Sequence, residues 1–162
     1  RVQVEHPVTE MVTGIDIVRT QLRIAQGHPL PFTQAEVRLS GHSVECRINA
    51  ENPRADFLPS PGKVVEWVPP QGEGIRVDTY VQPGTSIPPF YDSMVAKIIV
   101  HGANRSEALA LMGRALAKLR VTGIATTTPL HQAIVTAPGF TDQPITTRWL
   151  EESFLPDWGH QS

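Results

Sequence analysis

Arg1, Gln3 and Glu5 open the chain at alternate positions, and Arg47 stands on a later alternating run. In an extended segment, side chains spaced by two share one face, so a guanidinium, a neutral amide and a carboxylate would line one ledge. Consecutive members would sit on the order of 6.5 Å apart, twice the rise per strand residue. Such a ledge suits a small planar anion. The guanidinium offers a forked pair of donors, the amide a neutral donor, and the carboxylate a candidate base. Val2 and Val4 would point the other way, into a buried layer. A terminal strand with a solvated polar face is the plainer alternative for the same pattern.

The elements that would position these groups follow along the chain. Residues 1–7 are expected to be extended and Val8 to Thr13 a turn. Ile15, Val18, Leu22 and Ala25 then recur at helical spacing, predicting a helix over about 14–26 with Thr13 as N-cap, Gly27 just past its end and Pro29 preventing continuation. A boundary is expected near Ser40-Gly41. From Ser43 the chain alternates, with Val44, Cys46, Ile48 and Ala50 on one face and Ser43, Glu45, Arg47 and Asn49 on the other. Cys46 therefore reads as core filler. Arg47 would be held on a strand, which can aim a side chain accurately; a surface pairing with a carboxylate is its plainer role.

Further on, strands are expected at about 63–68 and 75–81. Met94 to Val100 is a nearly continuous apolar run suited to a central strand covered on both faces, with Lys97 the exception. Asn104 followed by Glu107 marks the start of a helix over about 105–119. Val121 to Ile124 reads as a short strand, and Thr128-Pro129 as N-cap and first residue of another helix. A last helix is expected over about 146–154, with Trp149, Leu150 and Phe154 facing inward, and a frayed tail after it. The whole is an α+β pattern: a mixed or antiparallel sheet with flanking helices.

Composition excludes several classes. The 162 residues carry a formal net charge of −2, and the basic residues do not cluster, so nucleic-acid binding has no support. No apolar run is long enough to span a bilayer. The single cysteine cannot form an internal disulfide, which suits a reducing compartment such as the cytoplasm, or the mitochondrial matrix in a eukaryote. The six histidines include no H-x-x-x-H pair, and with one cysteine a zinc site finds no ligand set. No G-x-G-x-x-G, Walker lysine loop or G-x-S-x-G elbow occurs. A strand at the extreme N-terminus needs neighbours, and the chain begins with Arg, so it reads as an internal or C-terminal piece of a longer protein.

The run R-V-Q-V-E-H-P-V-T-E-M-V-T-G at the N-terminus resembles the catalytic strand and following turn of biotin carboxylases. Three later blocks, V-E-C-R-I-N-A-E (44–51), F-L-P-S-P-G (57–62) and Y-D-S-M-V-A-K (91–97), resemble the same family in the same order. Biotin carboxylases use MgATP and bicarbonate to carboxylate biotin attached to a carrier protein. The resemblance implies that Arg1, Gln3 and the backbone amide of Val4 hold bicarbonate. It implies that Glu5 is the base that deprotonates it, and that Arg47 contacts biotin and stabilises its enolate. Residues 1–40 would be the end of an ATP-grasp domain, 41–156 the C-terminal domain and 157–162 a tail.

The resemblance also implies ATP, Mg2+, bicarbonate and carrier-linked biotin as cofactors and substrates, with the nucleotide and metal held mainly by upstream segments. Implied partners are the biotin carboxyl carrier protein or domain, a carboxyltransferase subunit or domain, and a second copy. Arg76 and the loop at 71–75 occupy the region of the bacterial homodimer interface, with Glu73 where a bacterial relative can carry an aromatic residue. This part alone is expected not to hydrolyse ATP. Acetyl-CoA, propionyl-CoA, pyruvate and urea carboxylases share the half-reaction, so the final acceptor stays open. A docking or dimerisation module without catalysis is the alternative, and another ATP-grasp ligase a third reading.

Overall fold

The computed structural model describes residues 1–158. It begins with helices α1 (His6–Thr13) and α2 (Ile17–Ala25) and a 3-10 turn at Gln34–Glu36. Strand β1 (His42–Asn49) is followed by two-residue strands β2 (Glu51–Asn52), β3 (Leu58–Pro59) and β4 (Gly62–Lys63), then β5 (Glu66–Val68), β6 (Ile75–Thr79), β7 (Ser86–Ile87) and the long β8 (Met94–Gly102). Helix α3 (Arg105–Lys118), strand β9 (Arg120–Thr122), helices α4 (Thr128–Thr136) and α5 (Pro138–Thr141), a π-helical turn (Leu150–Phe154) and α6 (Leu155–Trp158) complete the order.

The sheet order is β1-β8-β6, with separate pairs β2-β3, β4-β7 and β5-β9, all antiparallel. This is the expected α+β class, built from open sheets. Strand β8 is central because its run is apolar on both sides. Its Ile98 and Val100 join Cys46 and Ile48 of β1 in a core completed by Ala108, Leu109, Met112, Ala115 and Leu116 of α3. Cys46 is packing there, and burial pushes its thiol up to about 12. Ile99, on the other side of β8, is also fully buried, although it stands outside that cluster. That other side is where α1 lies. Fully burying one such isoleucine contributes about 1.5–3 kcal/mol, so both faces of β8 hold the layers together.

The N-terminus departs from the expected strand. Residues 1–7 are not a strand: 1–3 have no regular structure, the chain turns at Val4-Glu5, and α1 begins at His6. Pro7 accounts for this, because its fixed φ and missing N–H suit the first helical turn. The Gln3 carbonyl accepts the His6 N–H at 3.2 Å and the Glu5 carbonyl the Val8 N–H at 3.1 Å. The segment read as a turn, Val8 to Thr13, is helical and ends on Gly14 at φ 71°, whose N–H donates to the Glu10 carbonyl. Helix α2 accordingly starts later than expected. Its N-cap is Asp16, which accepts the Arg19 N–H at 2.8 Å, and not Thr13.

Elsewhere the differences are small. Asn104 caps α3, accepting the Glu107 N–H at 3.0 Å while its own amide donates to Glu107 at 2.8 Å. Helix α4 is capped one residue earlier than expected, with Thr127 at the N-cap position. Residues 156–158, read as the start of a frayed tail, are helical, and the Trp158 ring is buried beneath the Arg54 guanidinium. The remaining tail residues lie outside the described ones. Gly123 sits at φ 94° where a methyl would run into the Lys63 carbonyl, so β4 and the β9 turn touch backbone to backbone.

Candidate active site

The polar face of the β1-β8-β6 sheet carries a row of charges set by register. Arg47 stands opposite Lys97, and Lys97 opposite Asp78; one step along, Glu45 and Arg76 flank Ile99. Alternation sends all of these to the side away from α3. Helix α1 and the turn before it lie on this side and meet the row at three points. Arg47 Nη2 donates to Glu5 Oε2 at 2.7 Å. Lys97 Nζ donates to the Val4 carbonyl at 3.0 Å. Arg76 Nη1 donates to Glu10 Oε2 at 2.6 Å, while its Nε and Nη2 hold both Asp78 oxygens at 2.8 Å.

The electrostatics of the row are uneven. The Arg47–Glu5 pair is about half exposed on each side, 51% and 53%, so it is accessible to ligands and weakly stabilising. Burial alone would raise Asp78, but Arg76 and Lys97 outweigh it and hold its carboxyl below the usual value. The Asp78 and Glu10 carboxylates in turn hold the Arg76 guanidinium firmly protonated, against the opposing effect of burial. Glu45 goes the other way: burial raises it, against the pull of Lys97 and Arg47, and its Oε2 is buried without a hydrogen-bond partner.

The backbone behind Arg47 is clamped from α4. The His131 Nε2–H donates to the Arg47 carbonyl at 2.7 Å, and the Thr127 hydroxyl donates to the same oxygen at 3.3 Å. Thr127 Oγ1 also accepts the Asn49 N–H at 3.0 Å, and the Thr127 N–H donates to the Asn49 carbonyl. Burial lowers His131, against the opposing effect of its hydrogen bond to the Arg47 carbonyl, and that carbonyl partner makes Nε2 the donor. Beyond Arg47, the Asn49 amide, the Ser93 hydroxyl and the Glu51 carboxylate form a connected group, with Asn49 Nδ2 at 3.2 Å from both partners.

Arg1, Gln3 and Glu5 are exposed and Val2 and Val4 half-buried, so the predicted alternation of exposure survives although the strand does not. Arg1, Gln3 and Glu5 border a common cleft of about 250 Å³, with His6 and Gln21 adding polar groups. A small planar anion matches this lining. A later strand brings Arg47 to the same turn. Arg76, read as an ordinary strand residue or an interface group, pairs with Glu10 and Asp78 within the chain. Among the described residues no group of three or more His, Cys, Asp or Glu could hold a metal ion. No described helix is long and apolar enough to cross a membrane.

Sequence reasoning missed Glu10, Asp78, Thr127 and His131. Lys97 had left a signal, one charge in an apolar run. The others lie on ordinary polar positions, and only the fold brings them to the site.

Residues 45–152 match the family model of the biotin carboxylase C-terminal domain, and residues 1–33 that of the carbamoyl-phosphate synthase L chain ATP-binding domain. The chain is 52% identical over 157 residues to a biotin carboxylase of Pseudomonas aeruginosa, covering 97% of this chain and 35% of that protein. It superimposes with a TM-score of 0.95, at 43% identity, on the biotin carboxylase component of a pyruvate carboxylase, covering 100% of this chain and 36% of that one. It superimposes with a TM-score of 0.92, at 47% identity, on the biotin carboxylase domain dimer of Hydrogenobacter thermophilus 2-oxoglutarate carboxylase, solved with MgADP, ADP and bicarbonate, covering 94% of this chain and 34% of that one. The chain thus spans about a third of the length of these relatives.

Proposed function

The chain belongs to the biotin carboxylase C-terminal domain family, and on that premise we propose that it works as the C-terminal part of a biotin carboxylase, carboxylating carrier-linked biotin at the expense of ATP and bicarbonate. The observation that carries this reading is the 2.7 Å contact between Arg47 and Glu5, two residues far apart in sequence that share one accessible site. Residues 1–40 serve as the end of an ATP-grasp domain, 41–156 as the C-terminal domain and 157–162 as a tail. The polypeptide acts with a biotin carboxyl carrier partner and a carboxyltransferase, in the cytoplasm or an equivalent reducing compartment, and pairs with a second copy.

In this reading Arg1, Gln3 and the Val4 N–H bind bicarbonate in the cleft beside them. Glu5 accepts its proton, so that the anion becomes a better nucleophile toward phosphorus. Arg47 faces the ureido oxygen of biotin and stabilises the negative charge that develops there when the ring nitrogen gives its proton to the phosphate released as carboxyphosphate breaks down to carbon dioxide, which that nitrogen then attacks. One pre-aimed donor of this kind typically lowers a barrier by about 3–4 kcal/mol. His131 and Thr127 hold the Arg47 backbone while its side chain works. ATP supplies the phosphoryl group, and upstream segments hold it and Mg2+.

The acceptor of the carboxyl group belongs to another domain, as the different carboxylases among the relatives suggest. The test uses the longer polypeptide that contains this chain. Purified with free biotin, it releases ADP only when bicarbonate is present, and Glu5→Gln abolishes that release without changing assembly. The 162-residue chain alone gives no bicarbonate-dependent ADP. A docking module would tolerate Glu5→Gln, and full activity of that variant would sink the enzymatic reading.

A further inference from the structure

We propose that Lys97 is a positioning residue for this site: its ammonium pins the Val4 carbonyl and keeps the Gln3-to-Glu5 turn against the sheet when the Glu5–Arg47 pair opens. The inference rests on the biotin carboxylase reading for its catalytic consequence, though not for its structural one.

Lys97 is only 9% exposed, on the central strand, between the buried Ala96 and Ile98. A buried ammonium is costly unless its donors are satisfied. Its cross-strand neighbour Asp78 stands 3.4 Å away, yet that carboxylate already receives two bonds from Arg76. The nearest acceptor is the Val4 carbonyl at 3.0 Å, in the peptide that joins Val4 to Glu5. The turn's own hydrogen bonds, His6 N–H to Gln3 and Val8 N–H to Glu5, are internal and tie it to nothing else.

Among the described residues, two polar side-chain contacts therefore tether the turn to the sheet. One is Glu5–Arg47, half exposed and weak. A ligand that takes Glu5 Oε2 or Arg47 Nη2 opens it. The other is Lys97, which touches no proposed substrate-binding side chain and survives that opening. Farther along α1, Arg76 holds Glu10, whose other oxygen accepts the Ile17 N–H at 2.8 Å at the start of α2. Asp78 joins the two anchors, so the turn before α1 and Glu10 in the middle of that helix are linked to one carboxylate.

Lys97→Met keeps length and apolar fit while removing the donor. In the 162-residue chain, hydrogen exchange at the His6 and Val8 amides should accelerate at least tenfold, with the Ile98 to Val100 amides unchanged. Unchanged rates at His6 and Val8 would overturn the proposal. If Lys97→Met does not fold, Lys97→Arg, which keeps the charge and misplaces it, should fold and show the same acceleration. Unfolding of both would assign Lys97 to the fold alone and overturn it equally. In the longer enzyme, Lys97→Met should raise the KM for bicarbonate at least tenfold and leave that for ATP within twofold. Equal changes in both constants, or none, would contradict the positioning role. An inactive wild-type enzyme would instead sink the biotin carboxylase reading, leaving the exchange measurement to judge the tether.

Discussion

Arg47 and Glu5 meet at 2.7 Å although 42 positions separate them, and they reach each other from different structural layers. Arg47 comes from the edge strand of the sheet and Glu5 from the turn that caps α1. An exposed pair of this kind contributes only about 0.2–1 kcal/mol to stability. The contact therefore costs little to open, which suits the proposal that each group engages a substrate.

Stability and activity should separate at this pair. Glu5→Gln and Arg47→Gln are expected to lower unfolding free energy by less than about 1 kcal/mol each, because both side chains are half exposed. Urea denaturation of the 162-residue chain measures this. A loss of several kcal/mol would mean that the pair holds the fold together.

The clamp behind Arg47 should be costlier to lose. His131→Leu leaves the Arg47 carbonyl with the longer Thr127 bond alone, and losing one such hydrogen bond costs about 0.5–1.5 kcal/mol. The pH dependence carries a sign. Burial holds His131 below its ordinary value, so between that ordinary value, about 6.5, and the lower folded one, the unfolded chain binds a proton that the folded chain does not. Stability from this group is thus complete above about pH 6.5 and falls as pH drops below it. Thermal midpoints from pH 7.5 to 5 should fall more steeply for the wild type than for His131→Gln.

Glu45 gives the opposite slope. Burial raises its carboxyl above the ordinary value, so its contribution is fully present below that value and lost as pH rises through the folded one. Glu45→Gln should therefore raise the melting temperature at pH 7. The gain should vanish near pH 4, where the protonated acid and the amide are close to isosteric. A lower melting temperature at pH 7 would show that Lys97 and Arg47 attract this carboxylate more than burial penalises it.

Much of this architecture could be read in the sequence, and the exceptions have physical causes. The apolar run of β8, the alternation of β1 and the Asn104–Glu107 cap of α3 each rest on a local period or a local hydrogen bond, and each is present. The opening segment failed because alternation of exposure does not require a strand. Val2 and Val4 face inward from a turn, and Pro7 with Gly14 brackets a helix whose boundaries were visible but unused. Arg1, Gln3, Glu5 and Arg47 stand out in the sequence through their types and a family resemblance, and the fold adds that Glu5 and Arg47 meet. The groups that hold them were less legible: Lys97 showed only as one charge in an apolar run, and Asp78 and His131 act through register and packing between distant strands and helices, which no local pattern encodes.

The most direct test of the shared site is fixation of labelled bicarbonate into free biotin by the longer enzyme, compared among wild type, Glu5→Gln, Arg47→Gln and the double variant. Each single substitution should lower the rate by at least about a hundredfold, the scale of one lost acid–base or charge-stabilising group. The double variant should be scarcely slower than the worse single one, as expected of groups that act as a unit. Single variants within twofold of wild type, or losses that multiply in the double variant, would contradict the claim that these two residues form one catalytic site.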